Sequence, residues 1–129
     1  MEIPEHLKYS SEHEWLAPAG RTAKVGITGY AAEHIGDIVF VELPKVGAKV
    51  TALKTFGVVE SVKAVSDLFA PVSGEVVEVN AELPKKPEVV NSDPYGAGWM
   101  LVIRMSDPKE AAALMSAADY EKLTAGAGH

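Results

Sequence analysis

At 129 residues, with 12 Lys plus Arg against 18 Asp plus Glu and a formal charge of −6, the chain is sized for one domain and leaves no room for a second sizeable core. The acidic balance, with ten lysines and only Arg21 and Arg104 as arginines, excludes a nucleic-acid footprint and favours a basic partner or a solvated acidic surface. Cysteine is absent, which excludes disulfides, thiolate nucleophiles, thiolate zinc sites and Cys-ligated iron–sulfur clusters, so any thiol chemistry has to be brought in.

The first residues, Met1-Glu2-Ile3-Pro4-Glu5-His6, have neither a basic n-region nor an apolar h-region, and nowhere does an apolar run approach the roughly 18 residues of a membrane span. The expectation is a cytoplasmic, bacterial protein. Val and Ile supply 21 residues against nine Leu, and Gly and Pro together supply 19, a mixture that favours many short strands broken by turns. Strands are predicted over 21–27, 37–42, 56–61, 74–80 and 99–105. Between them, 43–47, 70–74 and 92–96 are Pro-to-Gly turns of similar build.

Two helical pieces interrupt the strands. The first runs from Gly29 to Ile35, with Thr28 as its N-cap and Gly36 as its stop. The second opens at Asp107-Pro108-Lys109-Glu110, where Asp caps, Pro takes the first helical position and Glu110 follows three residues after the cap. It is expected to carry Ala111 to Met115, with a further turn around 119–123 and a frayed tail over 125–129. Residues 41–50 and 69–76 share an apolar–Pro–Val–Gly–Val framework, the echo that a quasi-twofold β-sandwich produces.

Val62-Lys63-Ala64-Val65 lies between the strand at 56–61 and Ser66-Asp67-Leu68-Phe69-Ala70-Pro71, which reads as the returning strand of a hairpin. A free hairpin prefers Asn-Gly or Asp-Gly at its tip, so a single Lys framed by apolar residues is unusual. Either Lys63 is an ordinary exposed lysine with Val62 and Val65 folded inward, or it is a modified one. Because an amine with a reference pKa of ~10.4 is protonated near neutrality, acylation needs an enzyme that grips the hairpin and removes the proton.

Glu60-Ser61-Val62-Lys63-Ala64, with Ser66-Asp67 and 70–76 after it, resembles the lipoyl-lysine hairpin of the glycine cleavage H-protein family. The resemblance continues through His13-Glu14-Trp15, 25–28, 36–44, 90–96 and Gly98-Trp99-Met100, in order along nearly the whole chain. It implies a mainly β fold, a lipoyl/biotinyl-type β-sandwich (barrel-sandwich hybrid) with a short helix after the first strands and C-terminal helices. One domain over 1–129 is implied, with a lipoyl-bearing β core at about 22–104.

The same resemblance implies a carrier rather than a catalyst. Lipoate is amide-linked to Lys63, and its oxidised dithiolane accepts the aminomethyl group left when a pyridoxal-phosphate enzyme, glycine decarboxylase, decarboxylates glycine. A tetrahydrofolate-dependent aminomethyltransferase then takes the one-carbon unit and releases ammonia, and an FAD-dependent dihydrolipoyl dehydrogenase reoxidises the dithiol. Lipoate-attaching enzymes complete the implied partners of a monomer that meets neither nucleic acid nor membrane. Acylation of Lys63 removes one positive charge and takes the −6 of the chain to −7.

The family likeness also implies a cleft for the cationic cargo near Glu14, His34 and Asp67. Each has a plainer reading: Glu14 as a solvated charge beside Trp15, His34 as a favourable last-turn residue, Asp67 as a holder of the hairpin turn through local backbone amides. A metal site from His13, Glu14 and His34 is the rival, but position 17 is Ala where a helical zinc-protease motif needs its second His. Trp15, Trp99 and Tyr95 read as packing residues, and Lys85-Lys86 as a solvated turn.

Other functional classes fit less of the chain. A lipoyl domain of a 2-oxoacid dehydrogenase complex more often has Asp-Lys-Ala at its tip and hangs on a long linker, and a biotin carrier has Met-Lys-Met. A relay that donates lipoate to other enzymes stays open beside the carrier role. A self-contained enzyme finds neither a Gly-x-Ser-x-Gly elbow nor a P-loop here.

Overall fold

The computed structural model describes residues 2–127. Nine strands and four helices follow in the order β1 (Lys8–Tyr9), β2 (Glu14–Ala19), β3 (Thr22–Ile27), α1 (Gly29–Ile35), β4 (Ile38–Glu42), β5 (Lys49–Val50), β6 (Thr55–Ser61), β7 (Val65–Phe69), β8 (Gly74–Val79), α2 (Val89–Ser92), β9 (Leu101–Met105), α3 (Pro108–Ala112) and α4 (Ala117–Ala127). They make a six-stranded sheet in the order β1-β2-β3-β9-β8-β5 and a three-stranded sheet in the order β4-β6-β7. Val25, Val76, Leu101 and Ile103 of the larger sheet and Val41, Val59 and Leu68 of the smaller one are buried in a single apolar cluster, the interior of the expected sandwich.

The five predicted strands appear with ends shifted by at most two residues. The strands that sequence reading passes over are β1, β2 and β5. In β2 the first three residues are all buried, so no alternation marks it, and Pro18 breaks the pattern further. Pro18 is tolerated because β1 pairs only with Trp15 and Leu16, which leaves the far end of β2 as a sheet edge. The two echoed segments each pass from the small sheet to the large one, and there Lys49 and Val50 pair with Glu75 and Gly74.

Helix α1 has its expected ends. Thr28 Oγ1 accepts the Ala31 N–H at 3.1 Å, and Gly36 stops the helix at φ 88°, in the left-handed region that glycine enters without strain. The C-terminal expectations need three corrections. Helix α3 ends at Ala112 rather than reaching Met115, because Met115 exchanges two backbone hydrogen bonds with Tyr9 at 2.8 and 2.9 Å. Glu110 does not close a capping box: its carboxylate accepts from the N–H and hydroxyl of Ser73, tying α3 to the β7–β8 turn. The single turn expected at 119–123 is an eleven-residue helix that includes 125–127, where fraying is expected; residues 128 and 129 lie outside the described residues.

That longer helix packs through Tyr120, which is buried with Leu7, Tyr9 and Trp15 in a second apolar cluster. Trp99 and Tyr95 lie against the same cluster, and the Trp15 indole N–H donates to the Pro94 carbonyl at 3.0 Å, so these aromatics pack as expected. Lys85 and Lys86 are exposed.

Candidate functional site

The β6–β7 hairpin presents Lys63. Its turn is closed by the Ser61 N–H donating to the Ala64 carbonyl at 2.8 Å, while Ser61 Oγ accepts the N–H groups of Lys63 and Ala64 at 3.3 and 3.1 Å. The Val62 N–H donates to the Asp37 carbonyl at 3.2 Å, which pins the tip to the start of β4. One serine thus replaces the Asn-Gly chemistry of a free hairpin. Val62 and Val65 do not fold inward: they are 75% and 67% exposed, and Val39 and Phe40 on the neighbouring strand are exposed as well. The tip lysine stands in an apolar surround that is open to a partner.

Among the described residues the ion pairs are Lys49–Glu75 and Arg104–Glu75, and Lys63 belongs to neither. Its stem lies over the end of α1, where a methyl group on Gly36 would come within 3.1 Å of Lys63 Cε. That end of α1 is held by Asn91, whose amide donates to the Ala32 and Gly36 carbonyls and whose oxygen accepts the Ile38 N–H at 2.8 Å. Nothing local to Asn91 marks this role, since its partners lie more than fifty residues away.

Beside the tip opens a cleft of about 450 Å³, lined among others by Glu12, His13, Glu14, Tyr30, His34 and Asp67. The three residues singled out by family likeness therefore share one cavity, although they come from β2, α1 and β7. Their environments differ sharply. Glu14 is 2% exposed, which removes its reading as a solvated charge. Ser10 Oγ donates to Glu14 Oε1 at 2.6 Å and the Phe69 N–H donates to Oε2 at 3.3 Å, and burial still pushes the Glu14 carboxyl up to about 8.

Asp67 is exposed and bonds none of the turn amides; Ser61 holds the turn in its place. His34 Nδ1 lies 2.9 Å from the Tyr30 carbonyl, an oxygen that only accepts, so Nδ1 carries the proton and Nε2 is the free position. Its ring stacks on Tyr30 at 4.1 Å, and Tyr30 also meets His13 at 4.8 Å. His13 Nδ1 is 2.8 Å from the Tyr120 hydroxyl, and burial lowers the basicity of its imidazole. Among the described residues no group of three His, Asp or Glu is arranged to hold a metal ion, and each member of the rival set has another partner.

An exposed lysine outside the described ion pairs, an apolar rim and a neighbouring cleft with one buried and one exposed carboxyl together suit a site that carries a group. Comparison with known proteins gives the same answer over the whole length. The glycine cleavage H-protein family model matches residues 7–126. A glycine cleavage system H protein of Carboxydothermus hydrogenoformans is 55% identical over 121 residues, covering 94% of this chain and 93% of the relative. That of Bacillus subtilis is 53% identical over 124 residues, covering 96% and 98%. The crystal structure of a glycine cleavage system H protein from Mycobacterium marinum superposes with a TM-score of 0.89 at 40% identity, covering 95% of this chain and 99% of that one. Its barrel-sandwich of the lipoyl type is the architecture described above. Hairpin, cleft, sheet order and near-complete sequence coverage agree, and the chain belongs to the glycine cleavage H-protein family.

Proposed function

We propose that this protein is the lipoyl carrier of the glycine cleavage system, with lipoate amide-linked to Lys63. It would pass the aminomethyl group of glycine from the pyridoxal-phosphate-dependent decarboxylase to the tetrahydrofolate-dependent aminomethyltransferase, with dihydrolipoyl dehydrogenase completing the cycle. When bound, lipoate supplies a dithiolane that accepts the aminomethyl group and relays reducing equivalents, chemistry that a chain without cysteine lacks. The observation that carries the reading is Lys63 itself, exposed, in no ion pair among the described residues and on a turn whose following residues, Val65, Ser66 and Asp67, line the cleft.

What the chain contributes is presentation and shelter. Ser61 and Asp37 hold the tip in one register, so an attaching enzyme meets the amine at a fixed place. The cleft offers the cationic cargo two carboxyls, Glu14 at depth and Asp67 at the surface, and His34 Nε2 as an acceptor. A cation brought beside Glu14 favours its ionised form, so cargo binding draws a proton from that carboxyl near neutrality. At least three enzymes and the attaching machinery must share one tip, which calls for modest, transient interfaces steered by the acidic surface of a monomer. None of the described helices is long and apolar enough to cross a membrane; the proposed cytoplasmic location rests on the family likeness.

Intact mass with and without lipoate-attaching enzymes, followed by peptide mapping, tests the proposal. The expected result is one lipoyl group at Lys63. Biotin at Lys63, or an unmodified Lys63 in the native host, overturns it.

A further inference from the structure

Tyr120 is fully buried on a helix whose other residues are mostly exposed, and it does not line the cleft. Its ring stacks on Tyr9 at 4.7 Å, and its hydroxyl sits 2.8 Å from His13 Nδ1 and 2.7 Å from Thr28 Oγ1. These two partners begin two different walls of the cleft.

Thr28 is the N-cap of α1, the helix that carries Tyr30 and His34. His13 precedes Glu14 and holds φ at 72°, a left-handed backbone that is costly for a residue with a side chain. Around it the Ser10 N–H donates to the Glu14 carbonyl, the His13 N–H to the Ser10 carbonyl, and the Thr28 N–H to the His13 carbonyl, all within 3.2 Å. The same tight turn brings Ser10 Oγ onto both the Glu14 N–H and its carboxyl. The strained residue is thus the pivot that aims Glu14 inward, and its side chain is held by the Tyr120 hydroxyl at 2.8 Å and meets the Tyr30 ring at 4.8 Å. Burial raises the Tyr120 phenol above its ordinary range, so the hydroxyl stays protonated throughout the neutral region.

We infer that the Tyr120 hydroxyl is a positioning group for the cargo cleft: it fixes His13 in the conformation that points Glu14 into the cavity and braces the start of α1, so that the C-terminal helix sets the geometry of a site it does not line. The inference rests on the cleft reading proposed above.

The test compares Tyr120→Phe, which keeps the ring and its stack, with Tyr9→Phe, which removes the other hydroxyl of the same stacked pair, the one that donates to the Pro4 carbonyl. Carbon-13 titration of Glu14 in the full chain without cofactor is the first readout. The midpoint near 8 is expected to fall toward the ordinary carboxylate range in Tyr120→Phe and to stay in Tyr9→Phe. An unmoved midpoint in Tyr120→Phe overturns the inference. In the lipoylated full chain, loss of one buried hydrogen bond at this pivot corresponds to release of the aminomethyl group about fivefold faster, again with no change in Tyr9→Phe. His13→Asn, which tolerates the left-handed backbone but is too short to reach the hydroxyl, should reproduce the Glu14 shift, and combining it with Tyr120→Phe should add nothing; additive shifts count against the inference. Glu14→Gln separates the two levels. If it leaves the release rate unchanged, the cleft reading fails, while the titration arm still decides whether Tyr120 positions Glu14.

Discussion

The turn that presents Lys63 spans four consecutive residues and is closed by hydrogen bonds within Ser61–Ala64, whereas the cleft beside it is assembled from β2, α1 and β7. The turn leaves its lysine exposed; the cleft takes a carboxyl out of water and changes its chemistry. On the function proposed above, the contrast is a division of labour within one small carrier. The proposed handle, to be met by several enzymes, is local, exposed and fixed in register. A shelter must exclude solvent, and only distant segments packed together can do that.

The contrast is broken or sharpened most strongly at its two poles. Lys63→Arg keeps the positive charge but removes the acylable amine. It is expected to abolish the mass gain and glycine-dependent carrier activity completely, with stability changed by no more than about 0.5 kcal/mol, as for exposed sites in general. Any lipoyl mass gain that survives in this variant would place the handle elsewhere.

Glu14→Gln tests the other pole. The unfolded chain ionises Glu14 above its ordinary 4.5, while the folded chain holds the proton up to about 8. Between these values the native state binds the extra proton, so stability falls as pH rises from about 5 to 8 and levels above that, by an amount on the order of a few kcal/mol. The Gln variant should flatten that slope in denaturant titrations. A wild-type slope that is already flat over the window would show that the cleft leaves Glu14 solvated.

Gly36 joins the two regions, as the cap of α1 and the floor under the Lys63 stem. Gly36→Ala should cost about 1–2 kcal/mol through its left-handed backbone and should displace the Lys63 side chain, seen as local shifts in NMR spectra. Wild-type stability in this variant would mean that the cap relaxes freely. The smallest effect is expected at Asp67. Asp67→Asn removes an exposed charge and should alter stability by less than about 0.5 kcal/mol, while it weakens retention of the cationic cargo. A melting shift well above that would give Asp67 the structural role that the hydrogen bonds assign to Ser61.

Much of the tip was readable from the chain because it is local. Strand, turn and strand follow one another over 55–69, and the cap and stop of α1 are single residues with known backbone preferences. The cleft was readable only by resemblance. Seen in its sequence neighbourhood, Glu14 is one carboxylate beside a tryptophan; its burial depends on a backbone amide 55 residues away. Asn91 falls within the family-like stretch 90–96, but neither its role nor that of Tyr120 was legible, since the partners that make them useful lie 92 and 107 residues away for Tyr120 and more than fifty for Asn91. Met115 likewise reads as helix until Tyr9 claims its backbone.

β-Branched residues punctuated by Gly and Pro determined a protein of short strands, and a lysine framed by apolar residues determined where the proposed handle stands, because both depend on residues adjacent in the chain. Tertiary structure alone decided that Glu14 holds its proton near neutrality, that His13 is kept in a left-handed turn and that a C-terminal tyrosine reaches the cleft wall. Desolvation and hydrogen bonding are set by whatever neighbours packing supplies, and those neighbours come from segments that the order of residues leaves far apart.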